Sequence, residues 1–224
     1  MPFYFITFLF MVSLIFQGFG NDFPSSLAQA PDKAASFVIV PEKSWIRFDA
    51  KAPLHKFSGI THQVSGEMSG IPRTLQKTGK GKVVLEAVTL DTDIGARNKK
   101  MRSLLETDRY PKIQFTLDSV ESIDEKEIQQ GNLRLVVRGQ LIVRGVTQEI
   151  RSEIHVEFKE ERLHIHGNFP TKMTDFGIDP PRILGVSVQD EVSVVFDLLA
   201  LPDEATRRAY APYFPKKSTR GSGF

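Results

Sequence analysis

The sequence predicts an all-β protein, a single extended antiparallel barrel of about eight strands, and three observations lead to this fold class. Apolar and polar residues alternate with period two along most of the chain after residue 36, as expected for strands with one face against an apolar interior. Short polar turns separate the alternating runs. Helical periodicity is confined to one short segment, residues 97–108, with a weaker second candidate at residues 203–210.

Composition indicates a globular protein without sulfur chemistry. The chain has 224 residues, of which 41% are hydrophobic and 25% charged, and its formal net charge of +2 is too small to indicate a nucleic-acid partner. The absence of cysteine excludes disulfides, thiolate nucleophiles, Cys-ligated zinc and lipoprotein lipidation. We find no repeat and no boundary between two cores. We therefore expect a linker at 29–36, one barrel domain at 37–201 and a C-terminal tail at 202–224.

The N-terminus is predicted to be a secretory signal peptide over residues 1–28. Residues 3–16 are almost wholly apolar, and such a run is too short for a spanning helix, which needs roughly 20 residues. Small residues then lead to a cleavage point after Ala28. We expect a periplasmic or secreted protein with no stable membrane anchor after cleavage. Because no Lys or Arg precedes the apolar run, an uncleaved apolar anchor is the alternative.

The alternating runs predict the strands in order. They lie at residues 37–40, 45–51, 82–92, 113–118, 133–144, 150–158, 163–169 and 186–198. Residues 77–81, 129–132 and 159–162 carry the Gly, Asn or charged residues that are typical of hairpin connections. The 11 residues from 133 to 143 alone would extend about 35 Å, which favours a long barrel.

One face of these strands is apolar and uncharged, and barrel closure would turn it inward. The candidate interior ligand-binding residues are Ile46, Phe48, Val83, Leu85, Phe115, Leu135, Leu141, Ile154, Val156, Ile165, Val194 and Phe196. A ligand held by these side chains would be apolar. A filled, dry core satisfies the same pattern, so the sequence leaves a hollow and a packed interior open.

Five segments, in the correct order, resemble a known family. They are residues 45–48, 88–103, 109–115, 139–147 and 175–194. The closest match is the run from Gly139 to Thr147, which follows the form Gly-x-Leu-x-Ile-x-Gly-Val-Thr except that Val143 stands at the Ile position. The chain is similar here to the YceI-like family, exported proteins with a lipocalin-like barrel, some of which hold polyisoprenoid chains. The resemblance implies that fold, an isoprenoid or fatty-acyl ligand, and a homodimer as a plausible assembly.

The predicted helix departs from the family's pattern. The family often shows Arg-Asp-x-His-Leu where this chain reads Arg97-Asn98-Lys99-Lys100-Met101, so an acid and a histidine are replaced. We take Arg97, Lys100 and Met101 as candidate rim residues of the barrel. The lysines and arginines at positions 51, 56, 99, 100 and 102 would attract an anionic lipid or a diphosphate if they met at one rim. Scattered solubilising charge is the alternative that we favour.

Three histidines form a weak candidate for a metal site. If the turn at 159–162 is centred on Glu160 and Glu161, His155 lies opposite His166, and Glu157 lies opposite His164. His155, His164 and His166 would then share an outer sheet face with Glu157, in a combination that suits zinc or copper. A solvated sheet exterior explains the same residues, and we expect neither a metal nor another cofactor.

Motifs of enzymatic chemistry are missing from the sequence. There is no Gly-x-Ser-x-Gly elbow, phosphate loop, dinucleotide fingerprint or His-Glu-x-x-His helix. His55 and His62 lie near one loop without a nucleophile beside them, so a hydrolase or isomerase is the least favoured hypothesis. We expect an exported binding or carrier protein for an apolar small molecule or lipid. The alternative is a non-catalytic structural or stress-related interaction module with a packed barrel core.

Overall fold

The computed structural model describes residues 31–52, 55–124, 132–159, 161–183 and 186–213. The predicted signal peptide at 1–28 and residues 214–224 of the predicted tail lie outside the described residues. Among the residues that are described, no helix is both long enough and apolar enough to cross a membrane.

Strands make up most of the described chain. They are β1 (Ala35–Ile39), β2 (Trp45–Lys51), β3 (Lys56–Thr61), β4 (Val64–Gly70), β5 (Lys80–Glu86), β6 (Lys112–Asp124), β7 (Asn132–Val143), β8 (Val146–Lys159), β9 (Arg162–Lys172), β10 (Arg182–Ile183), β11 (Val186–Ser187) and β12 (Glu191–Pro202). The α-helices are α1 (Leu75–Thr78), α2 (Gly95–Leu105) and α3 (Glu204–Tyr210). Single 3-10 turns occur at Pro41–Lys43, Pro72–Thr74, Ala87–Thr89, Thr174–Phe176 and Ala211–Tyr213.

Eight strands close into one antiparallel barrel, in the order β1-β4-β5-β6-β7-β8-β9-β12. Closure comes from β1, which pairs with β4 on one side and with β12 on the other, where Phe37 lies opposite Pro202. The β2–β3 hairpin continues this wall, because β2 pairs with the first half of β12 from Val192 to Asp197. The predicted all-β fold, a lipocalin-like antiparallel barrel of about eight strands, is confirmed.

The alternation in the sequence becomes an inner and an outer face. Along β7, every second side chain from Leu135 to Val143 is buried and the residues between them are half-buried. Gly139 lies on the inner face, where a Cβ would overlap the carbonyl oxygen of Thr116 and the ring of Phe115. The close approach of these two strands therefore requires glycine at position 139.

The helices differ in their limits from the prediction. The helix expected at 97–108 is α2, which begins at Gly95 and ends at Leu105, because Glu106 adopts a left-handed conformation (φ 49°). Part of the predicted tail is ordered as α3. Its first turn is capped by Asp203, whose side chain accepts a hydrogen bond from the Thr206 backbone N–H (2.7 Å).

The sequence analysis did not predict strands β3 and β4, and it placed the end of β5 too far along the chain. Gly59, Gly66 and Gly70 interrupt the apolar alternation of residues 56–70, yet this segment pairs with β2, β1 and β5. The run predicted at 186–198 is divided into β11 and β12. Similarly, the strand predicted at 82–92 ends at Glu86 as β5, and the chain then makes a 3-10 turn towards α2.

Candidate ligand cavity

The barrel encloses a cavity of about 1830 Å³. Pockets for drug-sized molecules usually measure about 300–1,000 Å³, so this space suits a longer ligand. All the candidate interior residues of the sequence analysis line it: Ile46, Phe48, Val83, Leu85, Phe115, Leu135, Leu141, Ile154, Val156, Ile165, Val194 and Phe196. Their location in the wall is thus established, while their role in binding a ligand stays a prediction.

The exposure of these side chains shows that the barrel is hollow. Five of them are buried, among them Leu135 at 5% and Ile165 at 7% exposure. The other seven, including Val83, Phe115 and Ile154, face inward and are nevertheless only half-buried. An inward side chain in a filled core would be covered by its neighbours. These residues therefore border open space, and the packed-core alternative does not describe this protein.

Several wall residues were missed by the sequence reasoning. They come from β1, β4, α1 and α3, and include Phe37, Met68, Leu75 and Tyr210. Phe37 belongs to a predicted strand, so its alternation was a usable signal. The other three lie in segments where glycine or a short helix hides the inward face, and the pattern there offers no comparable signal.

Helix α2 forms one end of the cavity wall and carries the three rim candidates, Arg97, Lys100 and Met101, all of which line the cavity. The Arg97 guanidinium lies 4.5 Å from the ring centroid of Phe57, a cation–π contact that fixes it beside an apolar surface. Lys51, Lys56, Lys99 and Arg102 do not line the cavity, so the wider basic rim considered from the sequence is not assembled there.

The charged groups of the cavity wall are unevenly distributed. Near α2 the lining includes Arg97, Lys100, Lys172, Arg182 and His55. Farther from α2 the lining includes the acidic residues Glu67 and Glu157 together with the basic residues Lys80 and Lys82, and Lys82 lies opposite Glu67 on the neighbouring strand. Among the described wall residues, the α2 end is thus basic. An apolar chain with an anionic end group would find its counter-charge there.

Asn98 anchors α2 to the barrel and takes no part in the cavity wall. Its Oδ1 accepts hydrogen bonds from the backbone N–H (2.9 Å) and the hydroxyl (2.7 Å) of Thr92, and its Nδ2 donates to Asp91 Oδ1 (2.7 Å). The hydrogen bond from Asn98 is the main cause that lowers the pKa of the Asp91 carboxyl from its ordinary value. The amide that departs from the family pattern therefore positions the helix.

The histidines lie on the outer face of the barrel in the predicted register. His155 pairs with His166 and Glu157 with His164 across β8 and β9. Their strand neighbours Val156 and Ile165 line the cavity, so alternation turns the imidazoles outward. The turn prediction was correct, and it brings the three histidines together away from the cavity.

Comparisons with known proteins agree with this architecture. A sequence profile of the YceI-like domain matches residues 37–200. The chain is similar to BcnA of Burkholderia cenocepacia, with 16% identity, a TM-score of 0.62, and coverage of 72% of this chain and 98% of that one. It is also similar to a polyisoprenoid binding domain from Saccharophagus degradans, described as implicated in plant cell wall breakdown. That match has 18% identity, a TM-score of 0.59, and coverage of 76% and 100%.

No curated protein matches the chain. At identities below 20%, the two solved structures establish the shared fold. The match to the family profile assigns the chain to a family as well as to a fold, because it covers the barrel from β1 into β12. As the resemblance of its motifs predicted, the chain belongs to the YceI-like family.

Proposed function

We propose that this protein is an exported carrier that shelters the tail of an isoprenoid or fatty-acyl lipid inside its barrel. The observation that carries the proposal is the 1830 Å³ cavity with half-buried apolar side chains facing into it. Each methylene transferred from water into such a wall contributes about 0.8 kcal/mol. Ten methylenes would contribute about 8 kcal/mol before the cost of association, and a longer tail would contribute correspondingly more.

The charge distribution supports an orientation for the ligand. Its tail would run along the apolar wall between β5, β7 and β8, and an anionic end group would lie near Arg97 and Lys100. The polyisoprenoid named for the Saccharophagus degradans domain is an elongated apolar chain, which agrees with the shape of this cavity. Binding of an apolar chain fits a wall in which most of the side chains are apolar.

Export is part of the proposal because a free lipid tail needs protection in an aqueous compartment. The support is the apolar run at 3–16 followed by small residues up to Ala28. Cell fractionation should find the protein in the periplasm or the medium, with an N-terminus at Gln29. A full-length chain retained in the cytoplasm would refute export while leaving ligand binding intact.

Lipid binding is tested on protein purified without added ligand. Organic extraction followed by mass spectrometry should recover an apolar chain molecule, and the delipidated protein should bind a fluorescent fatty acid in a one-to-one complex. Val83→Trp places a large side chain into the cavity and should weaken binding of the fluorescent fatty acid. Val84→Trp is the matched control, because Val84 is the outward neighbour on β5 and is absent from the wall.

Two results would overturn the proposal. One is an empty extract from protein that also fails to bind the fatty acid after delipidation. The other is equal binding by the wild type and Val83→Trp, since a tail that packs against the wall at position 83 must respond to the larger side chain. Melting temperatures of both variants show whether lost binding reflects a lost fold.

A further inference from the structure

The outer face of the barrel carries a group of metal-binding side chains that lipid carriage does not use. This histidine cluster consists of His155, Glu157, His164, His166 and Asp197, on the adjacent strands β8, β9 and β12. We propose that the histidine cluster binds one divalent transition-metal ion, of which Zn²⁺ is the representative, with Glu157, His164 and His166 as ligands.

The distances suit a common metal ion. One ligand atom from each of Glu157, His164 and His166 lies within 4.8 Å of the others, and His164 Nδ1 is 3.9 Å from a Glu157 carboxylate oxygen. Zinc binds imidazole nitrogen and carboxylate oxygen at about 2.0–2.2 Å, so two tetrahedral ligands lie about 3.4 Å apart. Small side-chain rotations at the sheet surface would close the remaining gap.

Asp197 prepares His164 for this role. His164 Nε2 lies 2.7 Å from Asp197 Oδ1, so the imidazole donates its Nε2–H to the carboxylate. The lone pair is then on Nδ1, the nitrogen on the side of Glu157. A carboxylate bonded to the far nitrogen of a histidine is the arrangement that commonly orients and strengthens a histidine ligand for zinc.

His166 supplies a second and independent observation. Its Nδ1 is enclosed and has no hydrogen-bond partner among the described residues. An enclosed ring nitrogen without a partner is costly, and a metal ion bound through Nδ1 of His166 would offset that cost. The ring is also held in place, because His155 stacks on it with centroids 5.2 Å apart and planes 10° apart.

The local charge favours a cation. Glu157 and Asp197 both approach His164, and together they would balance the two positive charges of the ion. Glu153, the next acid along β8, is engaged by Arg134 at 3.6 Å and therefore contributes less to the site. Glu157 also borders the cavity, whereas His155, His164 and His166 are absent from its lining, so the ion would lie outside the space of the lipid tail and the two would bind independently.

The test uses the full chain without a polyhistidine tag, stripped of metal by a chelator and titrated with Zn²⁺ at neutral pH. Calorimetry, with competition against a chromophoric chelator, should show one bound ion per chain. His164→Ala and His166→Ala should each weaken Zn²⁺ binding tenfold or more, and Asp197→Asn, which keeps the fold but weakens the support of His164, by roughly tenfold. His62→Ala is the control, since His62 is exposed and lies outside the cluster.

Absence of binding, or one-to-one binding that survives both His164→Ala and His166→Ala, would overturn the proposal. The three cluster variants lie on the sheet exterior, and their melting temperatures in the absence of metal should match that of the wild type closely. Co²⁺ provides a spectroscopic check, because a four-coordinate site gives intense visible absorption that His164→Ala should remove. Fatty-acid binding should be the same with and without Zn²⁺.

Discussion

Asn98 and Thr92 are joined by two hydrogen bonds to a single oxygen. The Asn98 Oδ1 accepts from both the backbone N–H and the hydroxyl of Thr92, at 2.9 and 2.7 Å, in a buried environment. Thr92 lies between the 3-10 turn that follows β5 and the start of α2, whereas Asn98 lies in the first turn of α2. This contact therefore sets the position of the helix that carries Arg97 and Lys100 to the cavity.

Replacing Asn98 by alanine should destabilise the protein. The N–H and hydroxyl of Thr92 would lose their acceptor while staying buried, and each such loss costs about 1–3 kcal/mol. We expect Asn98→Ala to lower the free energy of unfolding in urea by about 2–6 kcal/mol. Lys99→Ala, on the exposed side of the same helix, should stay within about 0.5 kcal/mol of the wild type. Equal stability of the two variants would contradict the assigned role.

Replacing Gly139 by any residue with a side chain should destabilise the protein. A Cβ there would overlap the Thr116 carbonyl oxygen and the Phe115 ring, so β6 and β7 would have to separate. We expect Gly139→Ala to cost about 1–3 kcal/mol of unfolding free energy, measured by urea denaturation. Gly95→Ala is the matched control, because a Cβ at the start of α2 meets nothing within 4 Å. Gly95→Ala should leave the free energy of unfolding unchanged or raise it slightly.

Acidic pH should lower the stability of the folded protein because it protonates the Glu121 carboxylate. Hydrogen bonds from Arg151 and then Arg138, both at 2.7 Å, lower the pKa of the Glu121 carboxyl below its ordinary value of 4.5. A carboxyl whose pKa is lowered by folding stabilises the protein above its unfolded pKa. That contribution is lost as the pH falls below 4.5 and through the lower folded pKa.

The corresponding experiment compares the wild type with Glu121→Gln. The variant should melt at a lower temperature at neutral pH, and the difference should shrink as the solution is acidified below the ordinary pKa of Glu121, because the wild type then loses the same charge. Glu42→Gln, at an exposed carboxyl in the 3-10 turn before β2, should show no such convergence. A difference that stays constant with pH would contradict this assignment.

The long strands β7, β8 and β9 could be predicted from alternation because each presents one apolar and one polar face over many residues. The prediction at 113–118 covered only the first half of β6, because register shifts after Leu117 and after Val120 interrupt the alternation. Strands β3 and β4 could not be predicted, since Gly59, Gly66 and Gly70 remove the side chains that would show a period of two. The register of β8 and β9 followed from the polar turn between them, and it placed the histidines correctly.

The sequence could not predict whether the barrel contains a cavity. Filled and hollow barrels present the same inward pattern, and they differ in how far the opposite walls stand apart, which depends on strand number and tilt. Asn98 shows the same limit at one residue. The sequence showed only that an amide replaces the family's acid at this position, whereas the folded chain shows its hydrogen bonds to Thr92 and Asp91.

Lys100 should distinguish ligands by the charge of their end group. Lys99 and Lys100 are both exposed, but only Lys100 lines the basic end of the cavity. If the tail lies in the barrel and the end group near α2, Lys100→Gln removes one favourable charge interaction. We expect it to weaken binding of a long-chain fatty acid roughly two- to fivefold, the range of a solvent-accessible ion pair.

The matched fatty alcohol separates charge from tail burial, because it has the same chain without the carboxylate. Its affinity should be the same for the wild type, Lys100→Gln and Lys99→Gln, and the effect of Lys100→Gln on the acid should diminish in high salt. Equal weakening of acid and alcohol by Lys100→Gln would mean that Lys100 shapes the wall. An unchanged affinity for the acid would place the end group elsewhere, away from α2.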